Sequence, residues 1–154
     1  MKLILSLLLA IAAIASVSAA QEAAAADGVW LTDYQQALQQ AKKTGHPILA
    51  NFTGSDWCGW CKKLKAEVFD TKEFKEWATK NVVLLELDSP RGKPQSAELK
   101  KQNQQLAQQF GIQGYPTIAI IDATGKKIGE LGYEEGGPSK WLAAFKKAYS
   151  VKAK

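Results

Sequence analysis

The chain has 154 residues, is 23% charged and 46% hydrophobic, and carries a formal net charge of +5 at pH 7. Its lysines come in scattered pairs (Lys42-Lys43, Lys62-Lys63, Lys100-Lys101, Lys126-Lys127, Lys146-Lys147) instead of a single basic stripe with interleaved aromatics, a pattern that argues against a nucleic-acid partner. With two cysteines, one histidine and one methionine, the chain also lacks the ligands for a zinc or copper centre, and no metal is expected.

Met1-Lys2 supplies a positive start, residues 3–17 are almost unbroken apolar, and Val17-Ser18-Ala19-Ala20 offers small residues for cleavage. This pattern predicts an export signal over residues 1–20. A transmembrane anchor is the competing reading, but the stretch is shorter than the roughly 20 residues a bilayer needs. Removal of the leader takes Lys2 and leaves a balance of +4. Residues 21–28 are Ala-rich and read as a flexible tether, and residues 29–154 are the size of one domain.

Thr32, with Gln35 three positions on, reads as the cap of a helix running to Lys43, with Tyr34, Ala37, Leu38 and Ala41 on one face. Gly45 and Pro47 end it. Ile48 to Phe52 is a short apolar run suited to a buried strand. After the loop Thr53-Gly54-Ser55-Asp56, a helix is expected from Cys58, with Cys61, Leu64 and Val68 at helical spacing. Asp70 with Glu73 signals a further helix carrying Phe74 and Trp77, and Val82 to Leu87 reads as the next buried strand. The Ser89-to-Pro94 segment is loop by composition. A helix from Ser96 to Phe110 follows, with Leu99, Leu106, Ala107 and Phe110 inward. Thr117 to Ile121 is a strand joined by the turn Ala123-Thr124-Gly125-Lys126 to a partner around Lys127 to Tyr133. Ser139 is expected to cap the last helix, with Trp141, Phe145, Ala148 and Tyr149 inside. Helices interleaved with strands, closed by a hairpin, predict an α/β fold with a mixed sheet.

The chemistry concentrates in Trp57-Cys58-Gly59-Trp60-Cys61. Two cysteines two residues apart close almost no loop, so their disulfide is a poor staple. They are well suited to exchange, because the bond forms and breaks within one helical turn. At the helix start, unpaired amides favour a thiolate at Cys58, below the free-cysteine value of about 8.5. Cys58 is thus expected to attack and Cys61, deeper in the helix, to resolve. A cysteine hydrolase is the usual competitor for a reactive cysteine. The second cysteine and the export signal favour exchange, and His46, just before Pro47, is expected to be a loop residue.

Trp57-Cys58-Gly59-Trp60-Cys61-Lys62 after a buried strand, followed by Gly114-Tyr115-Pro116-Thr117 at a later strand, resembles the thioredoxin superfamily. The resemblance covers nearly everything from Trp30 to Tyr149. In Asn103-Gln104-Gln105-Leu106-Ala107, Phe110-to-Thr117 and the long Pro90-to-Pro94 loop, it is nearer the exported members, similar to the C-terminal domain of the periplasmic thiol:disulfide interchange protein.

The resemblance implies a thioredoxin-like fold with a cis-proline loop at Pro116. It implies an exported thiol–disulfide oxidoreductase with no cofactor beyond the Cys58–Cys61 disulfide, working in the bacterial periplasm as a monomer. Its partners would be protein thiols and disulfides and a membrane electron donor. Tyr115 would present backbone to an extended substrate segment, while Trp57, Gly59 and Trp60 would shape access. Asn51 stands where thioredoxin has a buried aspartate, leaving Glu86 on the neighbouring strand as a candidate proton acceptor for Cys61. Gly59-Trp60 lacks the histidine of strong oxidases, which favours the reducing direction. A disulfide oxidase or isomerase of the same fold and a non-catalytic binding module remain the alternatives.

Overall fold

Strand β1, Ile48–Thr53, is buried at every position and forms the centre of the molecule in the computed structural model, which describes residues 28–150. Its side chains alternate between two cores, as the period of two in a strand requires. Ile48, Ala50 and Phe52 join one core; Leu49 joins the other. A strand covered on both faces reads as a near-continuous apolar run, which Ile48 to Phe52 shows at every position but Asn51.

The sheet has the order β2-β1-β3-β4, where β2 is Val83–Asp88, β3 Thr117–Ile121 and β4 Lys127–Leu131. β1 pairs parallel with β2 and antiparallel with β3, and β3 pairs antiparallel with β4. The sheet is mixed, as the sequence predicts. One face carries α1 (Tyr34–Thr44) and α4 (Ala97–Gln109), whose Tyr34, Ala37, Ala41 and Leu106, with Phe110 just after α4, pack on Leu85, Leu87 and Ile121. The other carries α2 (Gly59–Leu64), α3 (Lys72–Asn81) and α5 (Gly137–Ser150). There Leu64, Phe74, Trp141 and Phe145 cover Leu49, Leu84, Ile118 and Ile120.

Several helix boundaries differ from expectation. Asp33, not Thr32, caps α1 and accepts the Gln36 amide at 2.7 Å. Thr71, not Asp70, caps α3 through the Phe74 amide at 3.3 Å, and Asp70 instead meets Lys65 Nζ at 2.5 Å. Ser139 lies inside α5 and donates to Glu73 at 2.7 Å, so it is a bridge between helices and not a cap. The expected continuous helix after Cys58 changes at Lys65–Phe69 into a turn with π-type spacing, which brings both Val68 and Phe69 into the core. In α5 the inward side is Trp141, Leu142 and Phe145, while Tyr149 is exposed. In α4 Leu99 is only half-buried, whereas Asn103 is buried and donates to the Asp88 carbonyl at 2.8 Å. The expected signal over residues 1–20 and tether through Asp27 lie outside the described residues. No helix among the described residues is long and apolar enough to cross a membrane.

Candidate active site

β1 delivers the chain to Gly54, whose carbonyl accepts the amides of Trp57 at 3.3 Å and Cys58 at 2.9 Å. That turn ends with Cys58 in extended backbone as the N-cap of α2. Its sulfur takes the place of a capping oxygen, accepting the Cys61 amide at 3.2 Å. Cys58 and Cys61 are joined in a disulfide with Cα atoms 5.2 Å apart. Cys61 is expected to be the more buried of the two, yet they are alike: Cys58 is 6% and Cys61 5% exposed.

The Tyr115–Pro116 peptide bond is cis, as the resemblance implied. The Tyr115 ring meets the Trp57 ring edge-on at 5.9 Å, and its hydroxyl is 3.2 Å from Ser89 Oγ. Trp57 donates its indole N–H to the Ser89 carbonyl at 2.9 Å, and the Arg91 guanidinium lies 3.8 Å over its ring. Trp57 is therefore clamped between the cis-proline turn and the 89–95 loop, and remains 36% exposed. Its indole occupies the space a side chain on Gly54 would need. On the other flank Trp60 is 59% exposed, its ring 5.3 Å from that of Tyr133, with Lys63 Nζ about equally near both rings. A side chain at Gly59 would meet nothing within 4 Å, so its absence leaves the approach between the two tryptophans open.

Behind the pair, Asn51 and Glu86 are register partners on β1 and β2. Both line a cavity of about 610 Å³ together with Cys61, Lys65, Asp88 and Lys93. Burial, and then the charge of Asp88, hold the Glu86 carboxyl above the ordinary glutamate range, against the pull of Lys65 and Lys93. Asn51 is buried, and its Oδ1 has no hydrogen-bond partner among the described residues. His46 lies before β1, whereas the cysteines follow its far end, so the structure does not bring it to the sulfurs. No cluster of three or more metal-binding side chains occurs among the described residues.

Sequence reasoning missed the loop side of this site. Asp56 accepts the amides of Arg91 and Gly92, at 3.1 and 2.6 Å, and those bonds hold its carboxyl below the usual range. Ser55 and Asp88 bond through both amide and hydroxyl, and Lys93 reaches Ser55 Oγ at 3.3 Å. These contacts span more than 30 residues of sequence, and no local pattern announces them.

Comparison with known proteins agrees with the geometry. Residues 34–148 match the thioredoxin-like domain family. A disulfide bond reductase, DsbH, of Chlamydia pneumoniae is 36% identical over 129 residues, covering 84% of this chain and 77% of that protein. The thiol:disulfide interchange protein DsbD of Klebsiella pneumoniae is 33% identical over 100 residues, covering 65% of this chain and only 15% of that protein. Among solved structures, a DsbH oxidoreductase superposes with a TM-score of 0.75 at 35% identity, over 80% of this chain and 85% of that one. The oxidised DsbD C-terminal domain of Neisseria meningitidis superposes at 0.57 with 19% identity, a likeness of fold alone. With its cysteine pair closed at a helix start and a cis-proline leading into β3, the chain belongs to the thioredoxin-like family, as a thiol–disulfide oxidoreductase.

Proposed function

We propose that the protein reduces disulfides in other exported proteins, with Cys58 as the attacking and Cys61 as the resolving cysteine. The carrying observation is the position of Cys58 Sγ, capping α2 and facing the amide of Cys61. An N–H aimed at sulfur favours negative charge there. In the dithiol form, the Cys58 thiolate attacks one sulfur of a substrate disulfide. The substrate S–S bond breaks, a mixed disulfide forms, and the other substrate sulfur leaves as a thiolate. Cys61 loses its proton and attacks Cys58 Sγ, which releases the second substrate thiol and leaves the Cys58–Cys61 disulfide. Two electrons have passed to the substrate. A dithiol donor, by family likeness a membrane protein, restores the pair by the same exchange in reverse.

Glu86 is the group proposed to take the Cys61 proton: it shares the cavity with Cys61, and its raised pKa lets it hold a proton nearer neutrality than an ordinary carboxyl. Asn51 cannot serve, since an amide has no comparable basicity. Pro116 carries no amide hydrogen, so nothing on its nitrogen competes with an extended segment pairing at Tyr115. Gly59-Trp60 places no histidine between the cysteines, which supports the reducing direction. The export pattern over residues 1–20 supports action outside the cytoplasm, which we take to be the bacterial periplasm.

The test is reduction of insulin disulfides driven by dithiothreitol. Cys58→Ser abolishes turnover, whereas Cys61→Ser accumulates mixed disulfides visible on non-reducing gels; trapping by Cys58→Ser instead reverses the assigned roles. Direction is checked by equilibrating the pair against glutathione. A potential near thioredoxin's roughly −270 mV is expected, and one near the oxidase end, about −120 mV, overturns the reductase reading.

A further inference from the structure

The two flanks of the redox pair carry different charge. On the Trp57 flank, the 89–95 loop and the start of α4 enclose a cavity of about 430 Å³. Its wall carries three cations, Arg91, Lys93 and Lys100, with the neutral polar side chains Ser89, Gln95 and Gln104. Among the described residues no carboxylate lines it. Two carboxylates border it: Asp56 accepts the Arg91 and Gly92 amides and interacts with the charge of Lys93, and Asp88 is bonded to Ser55. Arg91 and Lys100 form no ion pair among the described residues. The Arg91 guanidinium carbon lies 3.8 Å from the Trp57 ring centroid, and a guanidinium held over an aromatic ring can still fork its N–H donors around a carboxylate.

The Trp60 flank is the opposite. Its cation, Lys63, faces Glu67 at 3.8 Å, and Glu135 lies near enough to help stabilise its charged form. Tyr133 donates to the other oxygen of Glu67, and the exposed Glu134 and Glu135 follow it in the chain. A segment crossing the cysteines from one tryptophan to the other thus meets a cationic cavity on one side and an acidic rim on the other.

We propose that the Arg91-Lys93-Lys100 cavity is a side-chain subsite for an aspartate or glutamate of the substrate polypeptide, close in sequence to the cysteine that Cys58 attacks. The proposal rests on the exchange reading above. The geometry couples the subsite to the chemistry: Arg91 touches Trp57, the neighbour of Cys58, and Ser89 touches Tyr115, the neighbour of Pro116. An exposed ion pair adds little equilibrium affinity. Complementary potential acts mainly on encounter rate and choice of partner, and it is screened by salt. The subsite therefore selects among substrates by rate.

The experiment uses the full chain in its dithiol form and disulfide-bridged peptides of one length, with Glu, Gln or Lys flanking the cysteine, followed by stopped flow. At low ionic strength the Glu peptide is reduced about five- to tenfold faster than the Gln peptide, the Lys peptide is slowest, and the ratio falls toward one at high salt. Within the Arg91→Gln, Lys100→Gln double variant the Glu-to-Gln ratio collapses, whereas Lys63→Gln on the opposite flank keeps it. A ratio near one in the unaltered protein at low salt overturns the subsite, as does a ratio that survives the double variant or is lost equally in Lys63→Gln. Reduction of the Gln peptide reports the exchange chemistry separately; if no peptide is reduced, the exchange reading fails and the subsite with it.

Discussion

The register partners Asn51 and Glu86 show how two side chains set the conditions behind the cysteines. Glu86 is the more informative because its charge is costly where it sits. Its folded-state pKa lies above the ordinary value, first through burial and then through Asp88. Over the pH range between the ordinary and the folded value, the folded protein holds a proton that the unfolded chain releases. Its contribution is therefore fully present below the ordinary glutamate value and is lost as pH rises through the folded one. Glu86→Gln removes that loss. In urea titrations of the oxidised protein, the variant matches the parent near pH 4 and gains on it toward pH 8. A difference that stays constant across that range refutes the assignment. The identities of Cys58, Cys61 and Pro116 were legible as motif residues, because their spacing and neighbours are local. That Glu86 shares a cavity with Cys61 followed only from strand pairing, and the unpartnered Asn51 oxygen had no sequence signature.

At the level of elements, the strands were easier to read than the helix ends. A strand buried on both faces reads as a mostly apolar run, and Ile48 to Phe52, broken only by Asn51, offers no competing pattern. Helix starts are ambiguous wherever two capping residues are adjacent. Thr32-Asp33 and Asp70-Thr71 each present two oxygens one residue apart, and the packed position of the helix decides which reaches the free amide. In both cases the second residue does so. The 89–95 segment was recognised as a loop, but not as an ordered part of the site. Its order comes from distant partners: Asp56 on two of its amides and Trp57 on the Ser89 carbonyl. Asp56→Ala is expected to speed hydrogen exchange at the Arg91 and Gly92 amides while leaving β1 amides protected. Unchanged exchange at those two positions means the loop is held by other contacts.

Across the molecule, two cores share one sheet, and their aromatic content is unequal. Trp141 is fully buried in the core that backs α2, with its ring 5.4 Å from Phe69, 5.9 Å from Phe74 and 5.8 Å from Phe145. Its N–H donates to the Gly132 carbonyl at 3.0 Å, tying α5 to the end of β4. Trp141→Ala leaves a cavity and an unpaired carbonyl, with an expected loss of about 3–5 kcal/mol. Against a typical total of about 5–15 kcal/mol, that is enough to lower the urea midpoint markedly, and a shift equivalent to less than about 1 kcal/mol contradicts this account of the core. The α/β architecture, the mixed sheet with its closing hairpin and the likeness to a family were visible from periodicity and two motifs, since each is written into short stretches of chain. The charge division across the redox face was not, because Arg91 and Lys100 come to line one cavity, and Glu135 to approach Lys63 on the other flank, only through the fold.

The position of the Trp57 indole over Gly54 has a consequence for how such a site can diverge. Any side chain at position 54 collides with the ring, so the two positions are not independent. Enlarging 54 alone displaces Trp57 from Ser89 and Arg91, and shrinking 57 alone leaves a hollow beside Cys58. Sign epistasis of this kind closes the single-step routes, and the turn is free to change only when both residues move together.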